Sequence, residues 1–108
     1  MIFIMKMTNL EAVRHANSLN GVIEEGKELP VKLSYAITKN LKRLLKELET
    51  YEEERQKIIG KEDSDEKLKE LCSIEIDVDI NTVQMDVIEQ IGTIAPGQLM
   101  ALDFMIAE

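Results

Sequence analysis

The chain has 108 residues, of which 44% are apolar and 31% charged, a balance that excludes a disordered polymer and suits a single domain spanning 1–108. Its formal net charge of −8 sets up a mean field that repels phosphate, so nucleic acid and anionic membrane rank low as partners of the surface as a whole. The lone cysteine, Cys72, excludes an internal disulfide and fits a reducing cytoplasm.

Residues 2–7 read as a short strand of β-forming residues and methionine. The apolar opening run is too short to span a membrane and lacks the basic start of a secretory leader. Methionines at 1, 5 and 7 leave the initiation site open. Thr8 then begins TNLE, whose Glu11 completes a capping box in which hydroxyl and carboxylate each satisfy an orphan backbone N–H. A helix is predicted to about Leu19, with Asn20-Gly21 as its stop and 22–29 as a charged connector.

Pro30 marks the next start, because a missing N–H costs nothing in a first helical turn. No proline or glycine interrupts Val31 to Ile59, and Gly60 supplies the stop. The prediction is one amphipathic helix over 31–59, about 43 Å long at ~1.5 Å per residue. At about 100° per residue, Leu33, Leu41, Leu44, Leu48, Tyr51, Ile58 and Ile59 cluster with Ile37 on one face, and Leu45 lies at its border. Ser34 and Arg55 interrupt the heptad seam, which favours a helix packed internally over its first half rather than a pure coiled coil.

Ser64 is expected to cap a shorter helix, DEKLKELC. Residues 74–80 alternate Ile74, Ile76, Val78 and Ile80 with Glu75, Asp77 and Asp79, the period of a half-buried strand. Residues 83–91 fit a returning strand and a helical turn equally well. Pro96 opens a final helix, with Leu99, Leu102, Met105 and Ile106 on one apolar face. The fold class is therefore α+β: one long helix, shorter helices and a small sheet or hairpin including 74–80.

Several motifs invite chemistry. Asp77, Asp79 and Asn81 have calcium-loop spacing, but the loop's glycine and terminal glutamate positions are Thr82 and Ile88, so the acids read as a solvated strand face. Glu49 with Glu52 and Glu62 with Asp65 resemble the paired acidic motifs of all-α nucleotide pyrophosphohydrolases. The second pair, however, lies in a connector, too close to the first for facing helices. His15 and Cys72 show no partner group that would make either a nucleophile, a base or a metal ligand. The sequence therefore names no catalytic, cofactor-binding or metal residues, and no cofactor.

The long helix carries the remaining candidates. Lys32, Lys39, Lys42, Arg43 and Lys46 lie opposite the apolar stripe with Tyr35 among them, and no acid occurs within 31–46. A basic face with an aromatic can contact single-stranded nucleic acid, though any amphipathic helix also needs a charged outer face. Five glutamates follow between Glu47 and Glu54. Two copies laid antiparallel would set basic halves against acidic halves, with Arg55 meeting Glu52 of the partner. The competing reading is pairing within one helix, Arg43 with Glu47 and Glu53 with Lys57.

The strings LPVKLSYAITKNLKRL, YEEERQKII and LMALDFMIAE resemble small proteins encoded by bacteriophages and prophages of Gram-positive bacteria. The resemblance covers most of the chain from Thr8 and rests on helix-face patterns, not chemical signatures. It implies the cytoplasm of a bacterial host and an accessory or assembly role. The expected function is a non-enzymatic interaction protein that binds a protein partner or itself. A nucleic-acid-associated factor using Tyr35, Lys39, Lys42, Arg43 and Lys46 ranks second, and a metal-dependent nucleotide hydrolase third.

Overall fold

Seven extended residues, IFIMKMT, form β1 (Ile2–Thr8), and Thr8 ends it by capping α1 (Asn9–Glu24). The Thr8 hydroxyl accepts from the Glu11 N–H at 3.1 Å while the Glu11 carboxylate accepts from the Thr8 N–H at 3.0 Å. These bonds hold the Glu11 carboxyl below its ordinary range. In the computed structural model, which describes residues 2–26, 28–92 and 94–107, the chain continues through α2 (Val31–Ile58) and α3 (Ser64–Cys72) to β2 (Glu75–Asn81). Next come β3 (Val83–Gln84), α4 (Met85–Glu89), α5 (Pro96–Leu102), a 3₁₀ turn over 103–105 and β4 (Ile106–Ala107).

The class is α+β, and α2 is its spine within a molecule of 51 × 26 × 19 Å. On one side α1 packs along α2; on another lies the antiparallel two-stranded β1–β2 sheet, with Phe3 opposite Ile80, Met5 opposite Val78 and Met7 opposite Ile76. The short β3–β4 pair runs parallel, tying Val83 to Ile106 and Gln84 to Ala107. Leu19, Leu33, Ile37, Leu44, Val78, Ile80, Leu102 and Met105 form the fully buried centre. Each such aliphatic side chain contributes roughly 1.5–3 kcal/mol through burial. Buried α2 positions stop at Leu48, so the first half is the internally packed one; Tyr51 and Ile58 beyond it are half-buried, and α3 folds against α2. No helix among the described residues is long and apolar enough to cross a membrane.

Several boundaries differ from expectation. Asn20 and Gly21 do not end α1: the Asn20 carboxamide donates to Glu24 at 3.2 Å, and the helix runs on to bury Val22. Among the described residues of the proposed 22–29 connector, 25, 26, 28 and 29 are non-helical. Asp63, at φ 63°, is the cap position before α3, with Ser64 already inside the helix and no side-chain cap bond. The ambiguous 83–91 stretch is both things in turn, two strand residues and then α4. The final helix stops at Leu102, so Ile106 joins a strand and does not extend a helical face.

Candidate interaction surface

The basic face divides at its midpoint. Arg43 is not free on it: its guanidinium donates to the Asn81 side-chain oxygen and, at 3.4 Å, to the Asp79 carbonyl. Lys46 lines a shallow groove with Arg43, Glu47, Asp77 and Asp79, so the acids of β2 offset the trailing cations of α2. The expected Arg43–Glu47 pair is thereby replaced by a tie to the sheet, and Lys57 pairs with Glu54 at 3.1 Å, not with Glu53. Exposed Lys42 remains on the outer surface.

The leading end is different in character. The Lys39 ammonium lies 5.8 Å from the centre of the Tyr35 ring, a cation–π distance. Tyr35, Lys32 and Val31 form one wall of a groove of about 530 Å³; Asn81, Gln84, Asp86 and Val87 are on the other side. Val31 is 83% exposed and Tyr35 58%, an apolar surface at the start of the longest helix that the fold leaves uncovered. Short polar side chains rim it, an arrangement suited to seating an apolar side chain with fixed orientation.

The other candidates are occupied by structure. Arg55 reaches Glu52 of its own helix at 2.9 Å, and Gln56 donates to the same carboxylate at 2.9 Å, which holds Glu52 below its ordinary range. Asp77 and Asp79 are exposed on the outer face of β2, where the register sets Lys6 and Ile4 opposite them; the Asn81 oxygen is taken by Arg43. No cluster of three His, Cys, Asp or Glu side chains able to hold a metal ion occurs among the described residues. His15 stacks on Phe104 with ring centres 4.0 Å apart, and burial pushes its pKa down against the opposing pull of Glu11. The Cys72 sulfur sits 3.8 Å from the Tyr51 hydroxyl, and burial raises the Tyr51 pKa.

Among the described residues two buried asparagines escape a pattern reading: Asn9, whose Nδ2 donates to the Leu71 carbonyl at 2.9 Å, and Asn40. Asn40, fully buried, donates from Nδ2 to the Asn81 carbonyl at 2.9 Å and accepts from the Asn81 N–H at 2.7 Å. Its position on the core side of a helix otherwise lined by aliphatic residues was the available signal. Comparison of the chain with family models, curated proteins and solved structures finds no match.

Proposed function

We propose that the chain is a non-enzymatic interaction protein, acting as an accessory or assembly factor in the cytoplasm of a bacterial host, with the groove at the leading end of α2 as its partner-docking surface. The exposure of Val31 and Tyr35 beside that groove carries the reading, because isolated apolar side chains are ordinary whereas a pair walling a polar-rimmed cleft marks a contact site. Lys32 and Lys39 give the cleft a basic shoulder that complements an acidic flank on a partner segment with one apolar anchor. The single cysteine and the resemblance to phage-encoded proteins support the setting.

The test is capture from phage-infected or prophage-induced cells with the whole chain and with Val31→Asp and Tyr35→Ala. The reading expects one partner retained by the parent and lost from both variants, with thermal unfolding of the variants unchanged. A capture profile identical across all three overturns it. Oligonucleotide binding with a steep salt dependence, abolished by Lys39→Glu, would instead support the nucleic-acid reading.

A further inference from the structure

One side of β1 meets no other strand among the described residues. Its hydrogen-bonding direction follows from the ladder. The Asn9 N–H donates to the Ile74 carbonyl at 2.9 Å, one step beyond the Thr8–Glu75 pair. Opposed residues of an antiparallel ladder alternate between exchanging both bonds and exchanging none. Phe3, Met5 and Met7 therefore bond to β2, whereas Ile2, Ile4 and Lys6 turn N–H and C=O outward. The opposite strand agrees: Asp79 and Asn81, facing Ile4 and Ile2, direct their main-chain groups to Arg43 and Asn40. So one edge of the β1–β2 sheet is closed by α2. Among the described residues β1 pairs with β2 alone, which leaves the other edge open.

That edge is poorly guarded. Natural edge strands carry proline, bulges or several charges; this one has only Lys6, with Ile4 68% and Ile2 55% exposed. We propose that β1 pairs with β1 of a second copy, antiparallel about a two-fold axis at Ile4, joining two two-stranded sheets into one continuous sheet. Ile2, Ile4 and Lys6 are evenly spaced about that axis. Ile4 then bonds Ile4 of the second copy, Ile2 bonds Lys6, and every outward group gains a mate. Sliding the register to set Ile4 against Lys6 would bring Thr8 opposite Ile2, but the Thr8 N–H is already given to Glu11.

Charge placement favours the same occupant. β1 bears one cation and no acid, whereas the acids of the sheet stand one strand back on β2. The two Asp79 carboxylates would lie three strand spacings apart, about 14 Å at ~4.8 Å each, beyond the ~8 Å screening length of physiological salt. Two chains of net charge −8 thus meet along a strip free of acids. Ile4 packs on Ile4, the stem of Lys6 on Ile2, and on the opposite sheet face Phe3 meets Met5.

The experiment is sedimentation of the whole chain over a rising concentration series in low and high salt, with amide exchange followed residue by residue. Mass should climb from 12.3 kDa towards twice that value in both salts. Exchange at Ile4 and Lys6 should slow several-fold with concentration, while Met5, already bonded to β2, stays unchanged. Ile4→Pro should remain monomeric with the thermal unfolding of the monomer, since it deletes only an outward donor and proline is tolerated at such edge positions. Ile4→Lys, which puts like charges on the axis, should also remain monomeric. A parent chain at monomer mass throughout overturns the proposal, as does a dimer that Ile4→Pro leaves intact. A dimer dispersed by salt and by Arg55→Glu, with β1 exchange unaffected, assigns the contact to the long helix and overturns it equally.

Discussion

Asn40 grips both main-chain groups of Asn81, donating at 2.9 Å and accepting at 2.7 Å, so that a helix side chain stands in for a missing strand at the inner edge of β2. Replacing it with leucine keeps the volume but strands a half-buried N–H and carbonyl. Asn40→Leu should cost about 2–4 kcal/mol, read as a drop in the urea midpoint at constant m-value.

Asn40→Asp separates charge from shape. The carboxylate still accepts from the Asn81 N–H, but the donor to the Asn81 carbonyl is gone and a charge sits at a site with no solvent exposure. Burial raises the folded pKa of such an acid above its unfolded value. Protonation then favours the fold, so the deficit relative to the parent should be greatest near neutral pH and should shrink as pH falls through that raised pKa towards the unfolded one. A deficit constant from pH 7 to pH 4 would show that the aspartate is solvated.

How far the sequence was legible is clear from α2. Its length and its buried stripe of Leu33, Ile37, Leu44 and Leu48 follow from helical period alone, because periodicity reports which side faces apolar surroundings. Period does not report what stands opposite each face. Arg43, about 120° from Ile37, looked like a member of the solvated basic face, yet β2 brings a carbonyl and an amide within its reach. Asn20-Gly21 read as a stop because those residues favour turns, and the buried Val22 overrode that local preference. The parallel β3–β4 pair joins residues 23 positions apart (Val83 with Ile106), a pairing that no local pattern encodes.

Adjacent leucines on α2 offer a direct contrast. Leu44 is fully buried and Leu45 is 53% exposed. Leu44→Ala should cost roughly 2–5 kcal/mol through lost burial and the cavity left behind, while Leu45→Ala should stay within about 0.5 kcal/mol. Equal effects in chemical denaturation would mean that the face assignment of α2 is wrong.

His15 gives the protein a pH dependence of definite sign. Burial against Phe104 lowers its pKa from 6.5, so the folded chain resists a proton that the unfolded chain accepts. Stability should hold above that value and decline as pH falls through it, until the folded histidine also titrates. His15→Phe keeps an aromatic partner for Phe104 and removes the titration. Between pH 7.5 and 5.5 the parent should lose more stability in urea than this variant, and parallel losses would rule out His15 as the source.

Arg43 and Lys39 separate structural cations from available ones. Arg43 closes the edge of β2 beside Asn40, whereas exposed Lys39 lies over the Tyr35 ring at the surface. Arg43→Glu removes a charge-assisted bond and sets a carboxylate against the Asp79 carbonyl and the neighbouring acids of β2. It should cost about 1–2 kcal/mol of folding stability. Lys39→Glu should change stability by no more than about 0.5 kcal/mol, as for other surface substitutions. Thermal and urea unfolding of the two variants would check this, and their order decides how any binding assay on the basic face is read. Loss of a partner in Lys39→Glu reports the surface, whereas loss in Arg43→Glu also reports the β2 edge that Arg43 holds in place.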